Sequence, residues 1–280
     1  MGKRLWLVFL SCLLAFGAFA GCGQKADTEE EPLYGEDTEA GFRRTVLYYG
    51  TEDGFVVPVM KRIPWEEGIG KAALGYLVDD DANRAAAAPM GLKALVPEGT
   101  SFSLRIGDTG EASLDITGLT ELADAEAERN MVTAIVNTLT EFDSIDTVRI
   151  TLDGAQAATL PHGTDISTAM ASQPLNVEEG EVAVSTGSAH PLTLYYPNTS
   201  ASLNVPVTRY MEAEPTFSTA MTALLEGSDE EALASFPDGT ELLSAYIADG
   251  VACVDLSSDF RQVAEVDGLC NCLLYTSRCV

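Results

Sequence analysis

The chain repeats itself, and that duplication constrains its fold more than any other feature. Thr45-Val46-Leu47-Tyr48-Tyr49 returns as Leu192-Thr193-Leu194-Tyr195-Tyr196, and Val57-Pro58-Val59-Met60-Lys61 as Val205-Pro206-Val207-Thr208-Arg209. Lys71-Ala72-Ala73-Leu74-Gly75-Tyr76-Leu77 matches Thr219-Ala220-Met221-Thr222-Ala223-Leu224-Leu225. Val96-Pro97-Glu98-Gly99-Thr100 pairs with Phe236-Pro237-Asp238-Gly239-Thr240, and Ala112-Ser113-Leu114-Asp115-Ile116 with Ala252-Cys253-Val254-Asp255-Leu256. The offset changes only at the Asp79–Met90 loop, where the first copy carries extra Ala-rich sequence. Ordered self-similarity broken once, in a loop, is the mark of a duplicated unit. The copies are expected over 44–154 and 192–271, with 155–191 as a linker or a strap across the first copy. A full copy is about 110 residues, an ordinary domain size.

Periodicity gives each copy its elements. Thr45–Tyr49 and Val56–Ile63 are β-branched and aromatic, with Gly54 between them, and read as strands. Pro64-Trp65-Glu66-Glu67 reads as a helix start, with Pro near the first helical position and acids in the first turn. Ile69, Ala72, Ala73, Tyr76 and Leu77 then recur at helical spacing. Phe102, Leu104 and Ile106 alternate before Gly107-Asp108-Thr109-Gly110, and Ala112, Leu114 and Ile116 alternate after it, which is a hairpin with one buried face. A second helix is expected over 121–141 and a closing strand over Val148–Leu152. The order β-β-α-β-β-α-β predicts an α+β domain with helices on one face of a sheet. The second copy follows it through Leu256 and Phe260 and is expected to be incomplete, lacking the second helix and last strand. Half its sheet face would then be exposed, so that copy should fold poorly.

The first residues bear on the compartment. Lys3 and Arg4 precede an apolar run from Leu5 to Phe19 and then Ala20-Gly21-Cys22. That describes a secretory leader, too short to span a bilayer comfortably. Phe19-Ala20-Gly21-Cys22 resembles a bacterial lipobox, so 1–21 is expected to be a lipoprotein signal peptide and Cys22 the lipid attachment point. Residues 22–43 are acidic and lack apolar periodicity, so they read as a flexible tether. The chain holds 16 Lys+Arg against 43 Asp+Glu, a formal charge of −27, and losing Lys3 and Arg4 deepens it to −29. Such a charge repels phosphate backbones, which excludes nucleic acid as a partner. The lipid alone is expected to hold the protein at the membrane, since no basic patch near Cys22 stands out to help it.

At the other end, Cys272-Leu273-Leu274-Tyr275-Thr276-Ser277 back-translates to a transposase mosaic end used in sequencing libraries. Its reverse complement accounts for Arg278-Cys279-Val280 followed by a stop, so 272–280 is expected to be a sequencing-adaptor translation. Of six cysteines, Cys12 leaves with the leader, Cys22 carries lipid, and Cys272 and Cys279 belong to the adaptor. Cys253 and Cys270 remain, which makes neither a disulfide framework nor a metal cluster.

The ordered motifs resemble the GerM-like family of sporulation and spore germination proteins. The Leu-Tyr-Tyr and Val-Pro-Val strands and Pro-(Glu/Asp)-Gly-Thr carry the resemblance, together with Asn137-Thr138-Leu139-Thr140-Glu141-Phe142, Val148–Gly154 and Leu160-Pro161-His162-Gly163-Thr164-Asp165. The resemblance implies tandem domains similar to the ring-building motif of secretion-type assemblies. It also implies a lipoprotein on the outer face of the cytoplasmic membrane of a Gram-positive-type, spore-forming bacterium. Its partners would be envelope or spore-assembly proteins, reached by docking without catalysis, with no cofactor and no metal.

Local chemistry offers weaker candidates. Asp79-Asp80-Asp81-Ala82-Asn83 could suggest a calcium loop, but Arg84 and Met90 stand where an EF-hand needs Gly and Glu, so a solvated loop is expected. Asp115 and Asp255 end the equivalent hairpins and are expected in a turn or cap. His162 and Asp165 lie in the linker without a nucleophile motif, and His162 is expected to bond the loop backbone. Asn198-Thr199-Ser200 fits a glycosylation acceptor that a bacterial lipoprotein would not normally use. One tyrosine of each pair, Tyr48/Tyr49 and Tyr195/Tyr196, is expected in the core and the other exposed. The alternative to docking is binding of peptidoglycan or a small ligand, which needs an aromatic-lined pocket. A wall hydrolase would need a specific carboxylate pair, and the abundant acids supply none.

Overall fold

The computed structural model describes residues 41–178, 189–198, 200–228 and 236–265. The leader, Cys22, most of the tether, Cys270 and the 272–280 stretch lie outside these residues.

In the first copy, β1 (Phe42–Thr51) and β2 (Val56–Pro64) form an antiparallel ribbon, and β3 (Leu92–Lys93) pairs with the far end of β1. The short helices α1 (Ile69–Gly75) and α2 (Asp81–Ala87) lie between β2 and β3. The β4 (Ser101–Ile106) and β5 (Glu111–Thr117) hairpin is followed by α3 (Ala125–Thr140) and then β6 (Thr147–Leu152), which pairs parallel to β5. A parallel neighbour requires a crossover, and α3 supplies it. The second copy contains the ribbon β7 (His190–Pro197) and β8 (Asn204–Met211), the helix α4 (Phe217–Glu226), and the hairpin β9 (Leu242–Ala248) and β10 (Val251–Leu256). A 3-10 segment, Ser258–Glu265, ends the described residues.

The architecture is mixed α and β, as the pattern requires, but three details differ from it. The strands of the first copy divide into two three-stranded sheets, β2-β1-β3 and β4-β5-β6, rather than one. Pro64 closes β2 opposite Phe42 instead of opening a helix. An edge strand tolerates Pro58 and Pro64 because it need not donate on both sides, and Gly68, at φ 84°, turns the chain so that α1 starts only at Ile69. The third difference is the Asp79–Met90 stretch, which is helix rather than loop. Asp80 caps α2 by accepting from the Asn83 N–H at 2.8 Å, and the alanine run then follows its high helix propensity.

Apolar burial holds the elements in place. Asp124 caps α3 through the Ala127 N–H, and Met131, Val132, Ile135, Val136 and Leu139 form its buried stripe. Each such side chain contributes on the order of 1.5–3 kcal/mol when fully removed from water. Leu47 and Ile63 of the ribbon and Ala112, Leu114 and Ile116 of the hairpin complete the core of the first copy. In the second copy Leu194, Tyr196, Val205 and Val207 pack with Ala220, Met221 and Leu224 of α4. Among the described residues no helix is long and apolar enough to cross a membrane.

Candidate functional site

The acids singled out by sequence are engaged in structure. Arg84 bonds Asp79 at 3.1 Å and Asp81 at 3.0 Å, while Asp80 holds the cap of α2. Asp115 accepts from the Thr151 hydroxyl at 2.6 Å and the Gly154 N–H at 2.8 Å, fastening the end of β6 to β5. These bonds hold its carboxyl below the usual carboxylate range, the Thr151 hydroxyl most of all. Asp255 is exposed on β10, opposite Ser244. Asn198 organises its own turn by accepting from the Ser202 and Leu203 N–H groups, and Thr199 lies outside the described residues. Cys253 is a half-buried free thiol. Among the described residues no group of three or more His, Cys, Asp or Glu could hold a metal ion.

Both Tyr48 and Tyr49 are buried, contrary to the alternation argument. The ribbon is covered on both faces at this point. The Tyr48 hydroxyl donates to Glu141 at 2.6 Å, and burial first, then Glu141, pushes its pKa up. Tyr49 lies near Tyr76, and burial raises its pKa to about 12. The other pair follows the expected order less sharply, with Tyr196 fully buried and Tyr195 half-buried.

The described part of the segment between the copies, 155–178, is a strap, and the motif residues around it are its fastenings. Val148 and Met170 exchange N–H···O bonds at 2.8 and 2.9 Å, so the strap covers the outer edge of β6. Leu160 and Ile166 of the strap are themselves buried. The Glu128 carboxylate accepts from the His162 N–H at 2.8 Å and the Thr164 N–H at 3.3 Å. Burial pushes the Glu128 pKa up, but the contacts from His162 and Thr164 together outweigh it and hold the carboxyl below its usual range. His162 donates from ring Nε2 to the Leu122 carbonyl at 2.9 Å, since a carbonyl can only accept. Asn137 then grips Gln173, accepting from its N–H at 2.7 Å and donating to its carbonyl at 2.9 Å. Thr138 completes the motif by accepting the Tyr48 N–H at 3.2 Å, where β3 does not reach.

The strap also links the two copies. Asn176, at φ 46°, accepts the Val56 N–H and donates to the Val56 carbonyl, both at 2.8 Å, and to the Pro206 carbonyl at 2.5 Å. One amide therefore bonds equivalent strands of both repeats. Glu178 then pairs with Arg209 through two oxygens, at 2.6 and 3.2 Å. Sequence reasoning missed Glu128, Asn176 and Glu178. Glu128 had a signal, since 128, 131, 135 and 139 fall on one helical stripe. Asn176 lies in an aperiodic stretch and had none.

Strand pairing also assembles what the linear sequence disperses. Arg43 and Arg44 on β1 run alongside Lys61 and Arg62 on β2, Arg44 and Arg62 on the face that carries exposed Phe42 and Met60, and Arg43 and Lys61 on the other. The pairs sit seventeen or more residues apart in sequence but adjacent across the ribbon. Arg43 lies over the Phe142 ring at 4.9 Å, Lys61 over Tyr76 at 4.4 Å and Arg62 over Phe42 at 5.5 Å.

Comparison with known proteins gives one consistent answer. The profile of the Germane family, described as sporulation and spore germination, matches residues 46–158 and 193–277. The second interval thus extends into the 272–280 stretch. The spore germination protein GerM of Bacillus subtilis is 28% identical over 243 residues, covering 84% of this chain. The match spans 66% of that protein's length. The solved tandem GerMN domains of the same Bacillus subtilis protein superpose with a TM-score of 0.62 at 27% identity, covering 79% of this chain and 80% of that one.

Proposed function

The chain belongs to the Germane family of sporulation and spore germination proteins, and on that premise we propose that it is a non-catalytic docking protein of the cell envelope. It is held on the outer face of the cytoplasmic membrane by lipid at Cys22, and an acidic tether separates the folded part from the bilayer. Its partners are envelope or spore-assembly proteins, met through sheet edges and helix faces. One observation carries this reading: the polar motif residues fasten strap, ribbon and hairpin to one another instead of converging on a cleft. Glu128, Asn137, Asp115 and His162 all bond neighbouring backbone. A hydrolase would direct such groups toward substrate.

Binding of peptidoglycan or a small ligand is the second reading. A feature it could use is an open groove of about 480 Å³ between α4 and β9. Ser218, Thr222, Leu225, Thr240 and Leu242 line it, and among the described residues no aromatic ring does. Capture of the full chain from membranes of its own organism separates the two. Docking predicts recovery of envelope proteins and no retention of labelled wall fragments. Retained wall fragments without protein partners would overturn it.

A further inference from the structure

We infer that the groove between α4 and β9 binds an extended, cationic segment of a partner protein, laid as an added strand along the edge of β9. This rests on docking as the protein's role and names one sheet edge that serves it. Differences between the copies build the groove. In the first copy the same place is filled: Leu74 of α1 is fully buried, Leu104 of β4 packs against the core, and a Cβ added at Gly70 would lie 3.0 Å from Leu104 Cδ2. The second copy has Thr222 where the first has Leu74, and Ser218 where it has Gly70. Ala245 lies opposite Val254 as Leu104 lies opposite Leu114, so it takes the place of that leucine. Two leucines thus give way to smaller residues, and a serine cannot make the close approach that Gly70 permits. The groove that results has Ser218 and Thr222 on its helix side.

The other side of the groove is a strand edge. Leu242, Leu243 and Ser244 all line it. Successive side chains of a strand point to opposite faces, so a run of neighbours shares one groove only along the edge. Leu243 is an extra residue there, since Asp255 faces Ser244 and Leu256 faces Leu242, and it is 59% exposed. Such a bulge re-aims a side chain, here that of Leu243. Among the described residues β9 pairs with β10 on one side and with no strand on the other. An exposed sheet edge accepts an extended peptide as one more strand, with main-chain hydrogen bonds giving affinity and side-chain contacts giving specificity. Leu225 and Leu243 supply the apolar contact.

Charge selects the occupant. Glu226 and Glu241 line the groove, and among the described residues no Lys or Arg does. Glu226 pairs with Arg209 at 3.2 Å, yet its side chain stays 64% exposed. From 210 to 277 Arg261 is the one basic residue, and every other charged residue is acidic. A cleft walled by one sign of charge draws in the other. A second copy of this chain, at −27, is therefore disfavoured as the occupant, and so is a ligand rich in phosphate or carboxylate.

The test titrates the full chain, isotopically labelled for NMR, with a short peptide of alternating Arg and Val. Amide signals of 240–244 and 222–226 should move and saturate, and a peptide with Glu in place of Arg should bind at least about tenfold more weakly. An added strand offers only alternate amides to the edge it joins. N-methylating the Arg residues alone and the Val residues alone should therefore have opposite effects, one abolishing binding and the other sparing it. Thr222 is exposed, so Thr222→Trp fills the groove without disturbing the core and should weaken binding about tenfold or more, while Thr222→Ser retains it. Glu241→Lys should weaken it as well, and thermal melting of each variant reports folding. Equal binding of the two N-methylated peptides would overturn the inference, as would groove shifts produced by a soluble wall disaccharide-peptide but not by the Arg-Val peptide. Capture from membranes separates this inference from the docking reading. If the unaltered chain and Thr222→Trp recover the same envelope proteins, docking stands and the groove is overturned as its site. If neither recovers any, docking fails, and the peptide titration still decides the groove.

Discussion

The two hairpins carry one sequence pattern and have different fates. In the first copy Ala112, Leu114 and Ile116 are at most 1% exposed, in a core where α1 packs on β4, α3 packs on β6 and β6 pairs along β5. In the second, the equivalent Ala252 is exposed and Val254 and Leu256 are half-buried, Tyr246, Ile247 and Val251 are each more than half exposed, and among the described residues β10 has β9 as its partner alone. The aspartates show the same contrast. Asp115 fastens Thr151 of the neighbouring strand and Gly154 in the turn after it, whereas Asp255 faces solvent. Alternation in a strand selects which face can be buried; a covering element must still bury it.

Truncating equivalent side chains tests this contrast most strongly. Leu114→Ala should cost about 2–5 kcal/mol, as for a filled core site, and Val254→Ala under about 1 kcal/mol. Urea denaturation of the two variants measures both, and equal losses would break the comparison. Next is the strap. Glu128→Ala leaves the N–H groups of His162 and Thr164 without their acceptor, at about 1–3 kcal/mol. Limited proteolysis should then cut first within 158–166 while the second copy's cleavage pattern stays unchanged.

Asn176→Ala removes the bonds to Val56 and Pro206 at a cost of about 1–2 kcal/mol. It should speed hydrogen exchange at the Val56 amide more than at Leu114. The smallest effect is in acid. Glu128 and Asp115 are held below their ordinary pKa values when folded. Their contribution is therefore complete above about pH 4.5 and is lost as the pH falls through the lower, folded-state values. Asp115→Ala should flatten the acid limb of a Tm–pH curve.

The sequence made the duplication legible, together with both hairpins and α3, because each rests on a strong period. α2 was hidden because alanine gives propensity without an apolar stripe. The start of α1 was misplaced because Pro64 suits a helix start and an edge strand alike, and Gly68 decided between them through its positive φ. The division into two sheets depends on which strands pair, which local pattern does not encode. Glu128 could have been read from its place on an apolar stripe. The basic ribbon end could have been seen by pairing Val56–Ile63 against Thr45–Tyr49 and extending the register. Asn176 needs three dimensions, since its partners belong to two different repeats.

Native-state hydrogen exchange of the intact chain tests the central contrast most directly, by comparing amides of β5 with those of β10 in one sample. The account predicts that Leu114 and Ile116 exchange only with global opening of the first copy, as slowly as Ile135 in α3. Val254 and Leu256 should exchange at least about a hundredfold faster through local opening. Equal protection of the two hairpins would contradict it.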